Sequence, residues 1–266
     1  MVRILAVTNQ KGGVGKTTTS INLAASLARM QKRVLLVDLD PQGNATMGSG
    51  IDKNALERSI YDVLTGQCTA ASASVAADLA GYTLLPANSD LTAAEVELLQ
   101  VDDKEQRLTR ALAGLGADFD FIVIDCPPSL NMLTLNALVA ADGVLIPMQC
   151  EYYALEGLTA LSETIDAVQS ALNPRLRIEG ILRTMFDPRN NLTQQVSDQL
   201  KQHFADAVYR TVIPRNVRLA EAPSHGLPVI AYDKASSGAL AYLSLAGELL
   251  RRETGGAAVP ATETEA

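Results

Sequence analysis

The stretch Asn9-Gln10-Lys11-Gly12-Gly13-Val14-Gly15-Lys16-Thr17-Thr18-Thr19-Ser20 decides the fold of this 266-residue chain. An apolar run, Ile4-Leu5-Ala6-Val7, precedes it, and a helical pattern over residues 21–27 follows it. A strand, a glycine-rich loop and a helix in this order are the sequence context of a phosphate-binding loop. The N-terminal part of the chain is therefore predicted to bind a nucleotide.

Each part of this loop has a chemical role. Its glycines let backbone N–H groups close around phosphate oxygens, and the helix that starts near Lys16 adds the positive end of its dipole. The Lys16 ammonium is expected to reach the β- and γ-phosphates, and the Thr17 hydroxyl is expected to hold Mg²⁺. The predicted nucleotide-binding residues of the loop are Lys11, Gly12, Gly13, Val14, Gly15, Lys16, Thr17 and Thr18.

The loop departs from the general pattern at its start. Gln10 stands where the general pattern has a glycine, and Lys11 follows it as an additional cation. A second lysine at this place could reach a phosphate in its own site or in the site of a partner subunit. The alternative is a glycine-rich turn that carries a solvated lysine.

The overall charge argues against nucleic acid as a partner, but the charge is unevenly distributed. The chain has a net charge of −8, which by itself disfavours a polyanion. From Arg175 to Arg218, however, eight Lys/Arg residues face four acids, which gives this segment a net charge of +4. The segment is the part of the chain where a basic surface is expected.

The three cysteines, Cys68, Cys126 and Cys150, lack the spacing of a metal site. An odd count without a secretory signal predicts a reducing, cytoplasmic environment. No apolar run reaches the ~20 residues that cross a bilayer, so no membrane partner is expected.

Short apolar runs alternate with helical stretches along the chain. The runs are continuously apolar, which is typical of a parallel sheet with helices on both faces. We predict one doubly wound, mostly parallel α/β domain over residues 1–252 and a disordered, acidic tail over residues 253–266. The predicted strands are Ile4–Thr8, Val34–Asp38, Thr83–Pro86, Phe121–Asp125, Gly143–Met148, Ile178–Thr184, Val208–Ile213 and Val229–Ile230.

Carboxylates follow two of these strands. Ligands of open parallel sheets lie beyond the carboxyl ends of the strands, so Asp38 and Asp40 are expected near the phosphate loop. There a carboxylate can orient an attacking water or hold a metal-bound water, a role that fits Asp40 better than Asp38. Asp125 ends the run Phe121-Ile122-Val123-Ile124 in the Walker B pattern and is predicted to bind Mg²⁺ through a water. Cys126 beside it is interpreted as a small buried residue.

Two later loops carry arginines. Arg189 lies in Met185-Phe186-Asp187-Pro188-Arg189, and Arg215 and Arg218 lie in Ile213-Pro214-Arg215-Asn216-Val217-Arg218. These arginines can contact DNA phosphates, or they can be solvated surface residues. The second loop follows a strand, so its backbone can meet the nucleotide base.

With these motifs the chain resembles the ParA/Soj chromosome-partitioning ATPases, which have a deviant Walker A loop. The resemblance covers residues 1–252. It rests on Lys11–Thr18, Val37–Thr46, Ile124–Leu130, Pro147–Gly157 and Tyr209–Gly226, and the last two stretches are specific to the chromosomal group.

The resemblance implies a slow, Mg²⁺-dependent ATPase that switches between monomer and dimer. ATP would drive a sandwich homodimer in which each Lys11 reaches the partner's phosphates while Lys16 binds those of its own subunit. The residue matching Asp40 is needed for hydrolysis, and Thr17, Asp40 and Asp125 form the predicted metal site. Pro214 and Asn216 would meet adenine.

The resemblance also implies DNA binding and a protein partner. The ATP dimer would bind DNA without sequence preference, through residues matching Arg189 and Arg218 and, from its position, Arg215. A ParB-like centromere-binding protein would stimulate hydrolysis and release the dimer. The expected location is the nucleoid.

Two other classes share the loop. A MinD-like membrane-cycling regulator would end in a basic amphipathic helix, whereas Arg251-Arg252 is followed here by an acidic segment. An iron–sulfur reductase of the nitrogenase type would need paired cysteines that bridge a dimer, and neither Cys126 nor Cys150 has the expected neighbours.

Overall fold

Eight strands form one sheet in the computed structural model, which describes residues 2–253. The strands are β1 (Arg3–Val7), β2 (Val34–Asp38), β3 (Val75–Ala77), β4 (Tyr82–Leu85), β5 (Phe121–Asp125), β6 (Gly143–Gln149), β7 (Arg177–Phe186) and β8 (Val208–Pro214). Their spatial order is β3-β4-β2-β5-β1-β6-β7-β8, and all neighbours are parallel except the β3–β4 pair. The predicted doubly wound, mostly parallel sheet is thereby confirmed.

Helices cover both faces of this sheet. None of the helices within residues 2–253 is long and apolar enough to span a membrane. They are α1 (Lys16–Arg29), α2 (Asn44–Gly48), α3 (Ile60–Leu64), α4 (Ala70–Ala73), α5 (Leu91–Glu97), α6 (Arg107–Ala113), α7 (Met132–Ala140), α8 (Ala154–Ala171), α9 (Asn191–Phe204), α10 (Val217–Glu221), α11 (Val229–Tyr232) and α12 (Ser237–Glu253).

The central strands are apolar on both sides because each side faces its own core. Leu5 and Val7 of β1 pack into the cluster formed with α1 and α12, whereas Ala6 between them packs into the cluster formed with α7 and α8. Successive side chains of a strand point to opposite faces. Continuous burial, rather than alternation, is therefore what the sequence of a covered sheet must show.

The register brings the predicted site residues to one edge. Val7 aligns with Asp125, and Asp125 aligns with Asp38. The loop that begins after β1 therefore lies beside the carboxylates that end β5 and β2. β5 and its neighbour β2 supply the carboxylates, and β1, on the other side of β5, leads into the phosphate loop.

A buried glutamate fastens the last helix to the edge strand. Glu248 of α12 accepts hydrogen bonds from the Arg210 and Thr211 backbone N–H groups at 2.8 and 2.9 Å, and from the Thr211 hydroxyl at 2.7 Å. Burial alone would raise the pKa of Glu248, but the hydrogen bonds from Thr211 and Arg210 outweigh it and hold the pKa below its usual value.

Two local predictions were wrong or incomplete. The predicted strand Val229–Ile230 is instead the start of α11, where the Val229 N–H donates to the Asn22 Oδ1 at 2.7 Å. The antiparallel strand β3 was not predicted, since three residues are too short to show a pattern. The predicted disordered tail falls outside the described residues, except for Glu253, which ends α12.

Candidate nucleotide site

The loop between β1 and α1 is built to hold an anion. Gly13 and Gly15 have φ angles of 74° and 89°, a left-handed conformation that side chains with a Cβ rarely adopt. Gly15 gives α1 no side-chain cap, and the first turn of α1 contains no acid. The N–H groups of that turn are therefore available to phosphate oxygens.

Lys16 is the cation inside this loop. It is 7% exposed, and its Nζ donates to the Lys11 carbonyl oxygen at 3.1 Å. Burial lowers the pKa of Lys16, and Asp125, Cys126 and Asp40 act in the opposite direction. A largely buried ammonium with one backbone partner is stabilised strongly by an anionic ligand, as the predicted phosphate contact requires.

Three side chains that the sequence did not reveal hold the loop in place. The buried Thr184 hydroxyl donates to the Val14 carbonyl at 2.8 Å, and Gln149 Nε2 donates to the Gly13 carbonyl at 3.2 Å. Asn9 Nδ2 donates to the Pro147 carbonyl at 2.8 Å. These bonds tie the loop to β6 and β7. The only signal in the sequence was that Gln149 directly follows the predicted strand Gly143–Met148 and that Thr184 ends the next predicted strand.

Asp125 has an unpaired oxygen that fits a metal-bound water. Its Oδ1 accepts from the Ser20 hydroxyl at 2.8 Å, whereas its buried Oδ2 has no hydrogen-bond partner in the described structure. Burial and the neighbouring Asp38 raise the pKa of Asp125, and the hydroxyls of Ser20 and Thr17 oppose the rise. A hydrated Mg²⁺ would satisfy the free oxygen and stabilise the carboxylate, so the donor set fits the predicted metal.

Asp38 and Asp40 have different surroundings. Asp38 is fully buried and accepts from the Thr46 N–H, the Thr46 hydroxyl and the Asp40 N–H, which joins the end of β2 to α2. These three hydrogen bonds give Asp38 a structural role at the end of β2. Asp40 lies two residues further along the chain, and its Oδ1 accepts a hydrogen bond from the Gln42 N–H at 2.9 Å. Asp40 remains the predicted candidate for the attacking water.

The side chain of Lys11 pairs with a carboxylate outside the phosphate loop of its own subunit. Its side chain is 49% exposed, and its Nζ forms a 2.5 Å ion pair with Glu151, which follows β6. Its backbone N–H donates to Asn9 Oδ1 at 3.0 Å. The two lysines of the loop thus differ: Lys16 is buried in the phosphate loop, and Lys11 is held at its outer rim.

A cavity of about 400 Å³ adjoins the loop where the nucleoside is predicted. Asn216 caps α10 by accepting from the Leu219 N–H, and it donates to the Ser237 hydroxyl at 2.8 Å. Met185 in the wall adopts a φ of 48°, a strained conformation that often marks a functional position. The lining residues include Gly15, Thr18, Thr184, Met185, Pro214, Asn216 and Tyr242.

The predicted DNA-contact arginines are exposed, and two of them are paired. Arg189 is 88% exposed and pairs with Asp187 at 2.9 Å, while Arg218 pairs with Glu221 at 2.8 Å. Arg215 is exposed at the mouth of the cavity. Arg183, which the charge count included, is buried and donates to Ser197 and to the Tyr209 carbonyl. The basic segment therefore presents one surface cation fewer than the sequence suggested.

Two of the three cysteines lie in the core of the domain. Cys126 and Cys150 are both buried, and burial raises the pKa of each thiol. Within residues 2–253, no group of three or more His, Cys, Asp and Glu side chains is placed to hold a metal by itself. The interpretation of Cys126 as a small buried residue is confirmed.

The sequence comparisons agree with this geometry. A family model described as an AAA domain matches residues 2–178. The chain is 55% identical to the sporulation initiation inhibitor protein Soj of Bacillus subtilis, over 94% of this chain and 98% of that protein. It is 54% identical to the chromosome partitioning protein ParA of Myxococcus xanthus, over 95% of this chain and 89% of that protein.

A solved structure shares the fold throughout. It is named cobyrinic acid a,c-diamide synthase from Mycobacterium smegmatis, with bound ADP and magnesium, and is 43% identical. The match has a TM-score of 0.85 and covers 96% of this chain and 97% of that chain. The phosphate loop, the carboxylates that follow β2 and β5, and the parallel sheet agree with these relatives. The identity to Soj and ParA over almost the whole chain shows that it belongs to the Soj/ParA family of chromosome-partitioning ATPases.

Proposed function

We propose that this chain is a DNA-segregation ATPase whose ATP-bound dimer holds DNA and whose hydrolysis, stimulated by a ParB-type partner, releases it. The observation that carries the proposal is the separation of the two lysines of the loop. Lys16 occupies the phosphate loop of its own subunit, whereas Lys11 lies exposed at the rim, where a second subunit's nucleotide could meet it.

ATP and Mg²⁺ are the proposed cofactors. The bound ADP and magnesium of the 43%-identical structure support this, as does the unpaired oxygen of Asp125. Lys16 and the N–H groups of the first turn of α1 would bind the phosphates, and Thr17 and Asp125 would hold the metal. Asp40 would orient the attacking water, and Pro214 and Asn216 would face the base.

Dimer formation would exchange one partner of Lys11 for another. In the free subunit its ammonium pairs with the single carboxylate of Glu151, an exposed ion pair of small net value. A partner's triphosphate carries several charges and is partly enclosed, so it can compete for the lysine. ATP would therefore favour the dimer.

Sedimentation velocity with ATP, ADP and no nucleotide tests this step. We expect the wild type to form a dimer with ATP but not with ADP or without nucleotide. We expect Lys11→Ala to remain monomeric with ATP. Lys201→Ala is the matched control, because Lys201 is also a half-exposed lysine in an ion pair. A Lys11→Ala variant that dimerises like the wild type would remove Lys11 from the interface.

DNA would bind to the arginine-bearing surface, which is doubled in a dimer. Affinity for DNA phosphates rises steeply with the number of cations, so doubling the surface can produce a switch despite the net negative charge. Arg218→Ala should weaken DNA binding and lower the slope of log K against log salt by about two per dimer. Arg33→Ala removes an arginine of similar exposure that is also paired but precedes the amino end of β2, and it should leave both properties unchanged.

A second candidate function follows from the name of the structural relative. An amide synthase would use the same phosphate loop to activate a carboxylate with ATP. Adding cobyrinic acid and glutamine should leave ATP turnover unchanged if the chain is a segregation ATPase. Turnover that depends on both compounds would support the synthase instead.

The MinD-like alternative predicts a different partner. We expect no ATP-dependent co-sedimentation with anionic lipid vesicles. Vesicle binding that requires ATP would favour a membrane-cycling regulator over a DNA-binding one.

A further inference from the structure

An apolar groove lies beside the loop that follows Asp125. It has a volume of about 450 Å³ and is formed by α5 with the 3₁₀ turn Leu98–Gln100, by α7 and by α8. Leu135 and Leu138 of α7 line it, together with Leu99 and Leu130. Leu99 is 53% exposed and Leu130 is 43% exposed, so part of this apolar surface faces water.

A neighbouring residue extends the apolar surface. Val96 lies one helical turn before Leu99 and is 65% exposed. Large hydrophobic side chains that are exposed singly need no explanation, but three in one place around a groove are typical of a contact surface. The groove is therefore a candidate site for side chains from another molecule.

The charge around the groove restricts what can bind there. The sequence segments 91–100, 132–140 and 154–171 contain no lysine or arginine. Their charged residues are all acidic, and none of these acids forms a salt bridge within residues 2–253. They are Glu95, Glu97, Glu156, Glu163 and Asp166. DNA and anionic lipid would be repelled from such a surface.

We propose that the groove between α5, α7 and α8 binds a basic, amphipathic segment of a protein partner. Apolar side chains of the segment would fill the groove, and its lysines or arginines would face the acids of the surrounding helices. This inference rests on the proposed function, since it gives the hydrolysis-stimulating partner a place to bind.

The groove is linked to the nucleotide site by a short connection. Five residues, 126–130, separate Asp125 from Asn131, which caps α7 by accepting from the Thr134 N–H and donates to Glu95 at 2.6 Å. A segment bound in the groove would contact Leu130, the last residue of this connection, and Glu95, the hydrogen-bond partner of Asn131. It could therefore shift the loop that follows the metal-binding carboxylate and change the rate of hydrolysis.

The test uses overlapping peptides that tile the ParB-type partner, with affinity measured by fluorescence anisotropy. We expect a basic amphipathic peptide to bind, and we expect Leu99→Asp and Glu163→Lys each to weaken it by at least about tenfold. The matched controls are Leu240→Asp, an equally exposed leucine on α12, and Asp206→Lys. Neither control should change the affinity.

Other outcomes separate this proposal from the proposed function. The groove proposal is overturned if no basic peptide binds, or if Leu99→Asp binds the peptide as the wild type does. It is also overturned if Leu99→Asp abolishes ATP-dependent dimerisation, which would assign the groove to a second copy of the chain. Absence of ATP-dependent DNA binding by the wild type would overturn the proposed function, whatever the peptides do.

Discussion

Thr184 should be needed to keep the phosphate loop in its binding conformation. Its hydroxyl donates to the Val14 carbonyl at 2.8 Å, both residues are buried, and 170 positions separate them in sequence. Thr184→Val removes the donor at nearly constant volume and leaves the Val14 carbonyl unpaired. Loss of a buried hydrogen bond with an orphaned acceptor should lower the free energy of unfolding by about 1–2 kcal/mol.

The same change should weaken nucleotide binding. If the loop must be reordered when ADP binds, up to the same free energy is lost from binding, and the ADP affinity falls by up to about five- to thirtyfold. Urea denaturation without nucleotide measures the stability, and isothermal titration calorimetry measures the affinity.

Thr211→Val is the matched control for this pair of measurements. Thr211 also donates its hydroxyl to a buried acceptor, Glu248, but it lies on β8 away from the phosphate loop. It should lose a similar stability and keep its ADP affinity. Equal ADP affinities for wild type and Thr184→Val would refute the assignment of Thr184 as an anchor of the loop.

Three further changes test other parts of the site and fold. Lys16→Ala should weaken ATP binding about a hundredfold by calorimetry, since several charge-assisted hydrogen bonds are lost; retained affinity would contradict the phosphate contact. Asp40→Ala should accumulate an ATP dimer in gel filtration, and a variant that stays monomeric with ATP would give Asp40 another role. Glu248→Gln should lower the free energy of unfolding at pH 7, and that free energy should then fall less steeply as the pH is lowered. The folded pKa of Glu248 is depressed, so its contribution is present above the unfolded pKa of about 4.3 and disappears as the pH falls through the folded value. Unchanged acid denaturation curves would contradict that.

Much of the fold could be predicted because its signals are local. The continuous apolar runs that became β1, β2 and β5 are each followed by a loop or a carboxylate, and a parallel sheet places such ends together. The run Val229–Ile230 misled the prediction because its hydrogen-bond partner, Asn22, is far away in sequence. A short β-branched run alone does not distinguish a strand from a helical turn.

The residues of the candidate site also fall into two groups, those within local motifs and those that act through contacts distant in sequence. Lys16, Thr17 and Asp125 belong to local motifs, so the sequence indicated them directly. Thr184 and Gln149 act through hydrogen bonds across more than a hundred residues, and no pattern of spacing reveals such a bond. The burial of Arg183 could not be predicted either, since a count of charges does not tell which side chains face water.

In the proposed function, ATP gates the binding of DNA by this chain. An electrophoretic shift assay with one DNA fragment, in ATP, ADP and no nucleotide at low and at moderate salt, tests it most directly. We expect a shift only when both ATP and Mg²⁺ are present. Salt should weaken the shift strongly, and the sequence of the fragment should not affect it. Equal shifts in all three nucleotide states, or no shift at low salt with ATP, would contradict it.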